Sequence, residues 1–187
     1  MGAHLILIRH GQTDWNATGR WQGQADPPLN GVGRVQARRT ALELEAQRID
    51  SLISSDLRRA RDTAQIIAAL LDLEVTLEPR LREVYLGDWQ GLYSDDIRAR
   101  WPEEMRRWIE EPLAARPPNG ESIRELADRV LAAVNDIAAR YSGRRVGIVA
   151  HELPIAIITT QAGGIRLERL REHIPLNAAW HAVEWPA

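Results

Sequence analysis

The chain contains no cysteine and no lysine. Without cysteine it has no disulfide, no thiol nucleophile and no thiolate metal site. All 24 basic residues are therefore arginine. A guanidinium clamps phosphate or carboxylate through two parallel bonds where an ammonium acts as a point charge, although GC-rich coding accounts for the larger share of such a bias. No apolar run approaches the roughly 18–20 residues that a membrane span needs. Met1-Gly2-Ala3-His4 passes directly into Leu5-Ile6-Leu7-Ile8 without the basic stretch that opens a signal peptide. The protein is read as soluble, unexported and cytoplasmic, with no membrane partner. The formal net charge of −2 argues against broad capture of nucleic acid, so any anion site must be local.

What is present fits an ordinary globular protein. Of the 187 residues, 44% are hydrophobic and 27% charged, and this length suits one α/β domain with a single core. No internal repeat, low-complexity tract or interdomain linker appears, and nothing in the sequence assigns an oligomeric state.

Leu5-Ile6-Leu7-Ile8 is a continuous apolar run of the kind a strand buried on both faces shows, and it stops at Arg9-His10-Gly11. Ligands of open α/β sheets bind at such carboxyl ends. Residues 13–30 have loop composition. An amphipathic helix is predicted from about Gly31, with Val32, Val35, Ala37, Leu42 and Leu44 as its apolar positions. Leu52-Ile53-Ser54-Ser55 reads as a second strand. Asp56 is the predicted N-cap of a helix running to about Asp72. Glu74–Leu77 is a further strand, and Glu121–Tyr141 a long helix. Val146–Ala150 is a buried strand ending at His151, and Trp180–Trp185 a final edge strand. The segment at about 85–118 breaks the alternation of strand and helix and reads as an inserted helical cap. The expected architecture is a three-layer α/β/α sandwich with a mostly parallel sheet.

Arg9-His10-Gly11 at a strand end is chemically suggestive. A neutral imidazole attacks phosphorus, an adjacent arginine neutralises oxygens, and Gly11 permits close backbone approach. The tripeptide alone also suits a histidine that merely ties down a strand-loop junction.

The wider sequence narrows the choice. Leu7-Ile8-Arg9-His10-Gly11-Gln12-Thr13-Asp14-Trp15-Asn16 closely resembles the opening signature of the histidine phosphatase superfamily, also called the phosphoglycerate mutase-like family. Further matches follow in the family's order: Gly19-Arg20-Trp21-Gln22-Gly23, Ser54-Ser55-Asp56-Leu57-Arg58-Arg59-Ala60, Leu81-Arg82-Glu83 and Val149-Ala150-His151. The resemblance implies that His10 is the phosphorylated nucleophile and that Arg9, Asn16, Arg59 and His151 bind phosphate. It implies that Glu83 is the general acid and then base, and that Trp21 and Gln22 contact substrate. Arg59 falls in a first helical turn, where free amides already favour an anion; Arg58 and Arg61 read as solvent-facing.

One position departs from the pattern. The family usually has glycine after its second histidine, whereas this chain has Glu152. A carboxylate 4 Å from phosphate is repulsive by about 1–4 kcal/mol, depending on dielectric. The reading adopted here turns Glu152 toward the cap and leaves its backbone N–H at the phosphate. The alternatives are that it shapes preference for a substrate bearing a cation or hydroxyls, or that it impairs activity. The arginines and tryptophans of residues 85–118 read mostly as filling and surface of the cap.

The resemblance thus implies hydrolysis of a small phosphorylated metabolite through a phosphohistidine, with neither metal nor other cofactor. The alternatives carried are a cofactor-dependent phosphoglycerate mutase and a catalytically weak phosphate-binding module.

Overall fold

The apolar run at the N-terminus becomes strand β1 (Ala3–Arg9), whose side chains alternate between two buried clusters. Leu5 and Leu7 enter one, Ile6 and Ile8 the other. Such two-sided burial explains why the run is apolar throughout rather than alternating. This computed structural model describes residues 2–186.

Four further strands complete the sheet: β2 (Ser51–Ser54), β3 (Val75–Leu77), β4 (Arg145–Ala150) and β5 (Trp180–Trp185). Their order is β3-β2-β4-β1-β5, all parallel except β5, which runs antiparallel along the edge of β1. The register sets Arg9 opposite Ala150, and Ser54 opposite Val149. The residues that follow these strands, His10, His151 and Ser55, therefore emerge together at one end of the sheet.

Among the described residues seven α-helices surround the sheet: α1 (Asp14–Thr18), α2 (Gly31–Leu44), α3 (Arg58–Leu71), α4 (Ser94–Arg100), α5 (Pro102–Glu110), α6 (Ile123–Arg140) and α7 (Glu152–Ala162). Ala41 and Leu44 of α2 and Ala60, Ala64 and Ile67 of α3 pack with Ile6, Ile8 and Leu52 on one face. Val130, Val134 and Ile137 of α6 and Ile155–Ile158 of α7 pack with Leu5, Leu7 and Ile148 on the other. This is the three-layer, mostly parallel α/β/α sandwich expected.

Several local details differ from the sequence reading. In α2 the buried positions are Gly33, Ala37, Thr40, Ala41 and Leu44, whereas Val32, Val35 and Leu42 are 54%, 62% and 66% exposed. The helix presents its small residues inward, because α3 lies close against it. Asp56 does not cap α3. Leu57 is the N-cap residue and makes no side-chain cap bond. The backbone N–H of Arg58 instead donates to Asp26 Oδ1 at 2.6 Å, while Asp56 pairs with the guanidinium of Arg82. Residues 13–30 contain the short helix α1, closed by a capping box between Thr13 and Asn16. α6 starts two residues late, at its own Ser122–Glu125 capping box.

Gly11 is needed for a reason other than substrate. A Cβ there would lie 2.4 Å from the Gly33 carbonyl oxygen, and one at Gly33 would lie 2.1 Å from that of Gln12. The two glycines let the loop after β1 press against the start of α2.

Within residues 85–118, Trp89, Ile97, Met105 and Trp108 are buried and join the cluster beneath α6 and α7. Trp89 stands between Trp21 and Trp108 in edge-to-face contact, with centroids at 5.7 and 5.8 Å. The arginines here lie on the surface, as read: Arg98 pairs with Asp95, Arg106 with Glu103 and Glu110, and Arg107 with Glu111.

Candidate active site

His10 leaves β1 with its backbone N–H donating to the Ala150 carbonyl at 3.1 Å, and its ring is almost wholly buried. Nδ1 lies 2.7 Å from the Gly11 carbonyl. A carbonyl only accepts, so Nδ1 carries the proton and Nε2 keeps its lone pair. Nε–H of Arg59 points at that Nε2 from 3.2 Å. Burial first, and then the charges of Arg59 and Arg9, hold the pKa of His10 well below the usual histidine range. At neutral pH the ring is an uncharged base, the state a nucleophile toward phosphorus requires.

Around that nitrogen the chain gathers donors. Arg59, buried in the first turn of α3, is fixed by the Ala25 and Gly23 carbonyls at 2.8 and 2.7 Å. Burial lowers its pKa to about 10, which leaves it cationic at neutral pH. Arg9 donates through Nη1 to the Pro175 carbonyl at 2.6 Å and through Nη2 to Glu152 Oε2 at 2.8 Å. Its buried Nε–H has no partner among the described residues.

His151 follows β4 and its ring centroid lies 5.2 Å from that of His10. Its Nε2 is 2.8 Å from Ser55 Oγ. The Leu57 N–H already donates to Ser55 Oγ at 3.3 Å, so the hydroxyl proton is available to His151 Nε2. Nδ1 of His151 is a buried atom without a partner among the described residues. Burial and the charges of Arg59, His10, Arg9 and Arg129 keep the pKa of His151 well below 6.5. At neutral pH it is thus an uncharged ring rather than a cation.

Glu83 lies across the cleft, buried, with Oε1 accepting from Val84 N–H at 2.8 Å and Oε2 from Leu153 N–H at 3.4 Å. Burial, reinforced by the charge of Glu152, raises its pKa to about 7. A carboxyl poised there gives up and retakes a proton with equal ease at neutral pH. Its position is secured by Arg129, which donates to the carbonyls of Arg80, Arg82 and Glu83.

Asn16 caps α1 and lines the cleft. Its Oδ1 accepts from the N–H and hydroxyl of Thr13, completing the cap of α1, while its side chain faces the cleft. Trp21 and Gln22 also line the cleft; Trp21 Nε1–H is held by Ser94 Oγ at 2.9 Å and Gln22 Oε1 by the Thr13 hydroxyl at 2.9 Å.

Glu152 requires a correction. Its side chain does not turn away from the phosphate site: the carboxylate sits in the cleft and pairs with Arg9 at 2.8 Å, although 40% of the side chain remains exposed. The expected repulsion is met by an arginine already in place.

Eight of the nine residues singled out from the sequence line one cleft of about 390 Å³, and His151, fully buried, is not among its lining residues. His151 lies behind the lining of this cleft, against the His10 ring and Ser55 Oγ. The sequence reading missed Trp15, Arg20, Trp108, Arg171, Ile174 and Asn177, which also line it. Asn177 Nδ2 donates to the His10 carbonyl at 3.2 Å, and nothing in its local sequence marks it. Among the described residues no group of three or more His, Cys, Asp and Glu side chains is arranged to hold a metal ion, and no helix is long and apolar enough to cross a membrane.

This arrangement, two histidines and two arginines at a sheet edge facing one raised carboxyl, coincides with a match of residues 5–187 to the histidine phosphatase superfamily, branch 1. The chain belongs to that superfamily. This histidine phosphatase is 35% identical to "Phosphoserine phosphatase 1" of Hydrogenobacter thermophilus over 179 residues, which are 96% of this chain and 85% of the relative. It is 36% identical to "Probable phosphoglycerate mutase GpmB" of Serratia proteamaculans over 161 residues, covering 86% and 75% of the two chains. The solved structure of a mycobacterial glucosyl-3-phosphoglycerate phosphatase in complex with VO3 superposes with a TM-score of 0.87 at 36% identity, covering 96% of this histidine phosphatase and 90% of that chain. Its activity class is that of a phosphatase, a hydrolase.

Proposed function

We propose that the protein hydrolyses a small phosphorylated metabolite in two steps through His10. In the first, Nε2 of His10 forms a bond to phosphorus while the ester P–O bond breaks, and Glu83 gives its proton to the departing alkoxide. In the second, Glu83 as carboxylate takes a proton from water. The hydroxide oxygen bonds to phosphorus, the P–N bond breaks, and inorganic phosphate leaves. Arg9 Nε–H, Arg59 and His151 neutralise and orient the phosphoryl oxygens, with the Asn16 amide beside them. Trp21, Gln22 and Glu152 contact the alcohol half. In this proposal the protein is one domain, residues 85–118 act as its cap, and it works in the cytoplasm.

The observation that carries the reading is the tautomer of His10. Its proton is fixed on Nδ1 by the Gly11 carbonyl, which leaves the Nε2 lone pair facing Arg59. His10 lines the cleft together with Arg9, Arg59 and Glu83. The names of the relatives support a small substrate, since they include enzymes of phosphoserine and of glucosyl-3-phosphoglycerate.

Other relatives carry the name of a mutase, so the test measures both outcomes. Purified protein is given a panel of small phosphomonoesters, with phosphate release and conversion of 3-phosphoglycerate to 2-phosphoglycerate followed in parallel. Release without isomerisation is expected, and His10→Ala abolishes it. Isomerisation in place of release establishes the mutase instead, and undiminished release by His10→Ala contradicts the mechanism.

A further inference from the structure

Arg9 has two claimants for its charge. Its guanidinium donates through Nη1 to the Pro175 carbonyl at 2.6 Å and through Nη2 to Glu152 Oε2 at 2.8 Å, and its buried Nε–H has no partner among the described residues. Glu152, the first residue of α7, lines the same cleft as His10 and Glu83, and Arg9 is its one ion-pair partner among the described residues. The other cations that line this cleft are held elsewhere. Arg59 is fixed by the Ala25 and Gly23 carbonyls, with its Nε–H on His10 Nε2. Arg171 donates to the Trp108 carbonyl, and Arg20 to the Gly91 carbonyl while its guanidinium lies over the Trp15 indole.

Two fixed cations, Arg9 and Arg59, serve the phosphoryl group beside His10, while His10 and His151 are uncharged at neutral pH. Glu152 offsets one of those two charges. A phosphate dianion at His10 therefore meets a guanidinium that a carboxylate already engages. Either the two anions stand together on Arg9 and repel, or the carboxylate swings toward solvent, to which 40% of its side chain is already exposed, and its ion pair is lost. Both courses weaken the hold on phosphate. Hydrolysis leaves inorganic phosphate in the same place, so the same carboxylate acts on the product. Resting on the phosphatase reading above, we infer that Glu152 is a built-in competitor for the phosphate site: its carboxylate contests Arg9, so that inorganic phosphate is held weakly and leaves readily once it has formed.

Binding of inorganic phosphate, titrated by calorimetry at neutral pH, reads this competition without any need for turnover. Glu152→Gln keeps the size of the side chain and removes its charge, and Glu152→Ala removes both. Each variant should bind phosphate about tenfold more tightly than the wild type, the scale of one charge at this range. The inhibition constant of phosphate in hydrolysis of p-nitrophenyl phosphate should fall in parallel. A side chain that only supported the site would give the opposite sign, because its loss frees Arg9 to move and loosens phosphate. Partial unfolding of a variant lowers the measured stoichiometry rather than the Kd of the folded molecules, so it does not imitate the gain. Phosphate binding that is unchanged or weaker in Glu152→Gln overturns the inference. A gain confined to Glu152→Ala also overturns it, by assigning the effect to bulk rather than charge. In both cases the phosphatase stands. If neither the wild type nor the variants bind phosphate at all, the phosphatase reading falls together with the inference.

Discussion

Glu83 shows how a single carboxyl is tuned by where the chain leaves it. Burial, with Glu152 nearby, raises its pKa from 4.5 to about 7 against the lowering pull of the Val84 and Leu153 N–H bonds and of Arg59. A folded-state value above the unfolded one means that the native protein holds the proton more tightly. Stability contributed by this group is therefore full below pH 4.5 and is lost as pH rises toward 7, to a total of about 3 kcal/mol. His10 and His151, with lowered values, act in the opposite sense and weaken the fold as pH falls below 6.5. Glu83→Gln removes only the first effect. Thermal melts should show the variant gaining on the wild type as pH rises from 5 to 8; a constant difference across that range would mean that Glu83 is not held protonated. The residues proposed to carry the chemistry were legible in the sequence because each sits in a short ordered motif. The orientation of Glu152 was not, because its partner Arg9 lies 143 positions away. Arg171 and Asn177 were illegible for the same reason, since only the return of β5 alongside β1 brings their segment to the cleft.

Helices and strands followed the sequence where hydrophobic pattern decided them, and departed from it where packing between elements did. The β1 and β4 runs were read correctly because burial on both faces leaves no polar position in them. α2 was misread because most of its buried face is made of the small residues Gly33, Ala37, Thr40 and Ala41, and small residues leave a weak signal beside exposed valines. α3 takes its cap from Asp26 rather than from its neighbour Asp56, a choice made by tertiary structure. α6 carries its own signal in Ser122 and Glu125, whose side chains bond reciprocally to each other's backbone. Ser122→Ala should cost about 1 kcal/mol, a fall of about 2–4 °C in melting temperature for a chain of this size. A melting temperature unchanged within half a degree would show that packing alone sets the start of α6.

At the scale of the whole molecule, the parallel strands carry out one task. They bring the ends of β1, β4 and β2 level, so that residues 10, 55 and 151 meet although the sequence separates them widely. The segment 85–118 then supplies Trp108 to the cleft, with Trp89 wedged between Trp108 and Trp21. The central claim is that the phosphoryl group passes through His10 Nε2. The most direct test is rapid acid-free quenching of a reaction with labelled phosphoserine or p-nitrophenyl phosphate, followed by peptide mapping of the protein. The account predicts a label that is stable to base and labile to acid, confined to the peptide holding His10, and absent from His10→Ala. Turnover with no labelled protein at any time, or a label on another residue, would contradict it.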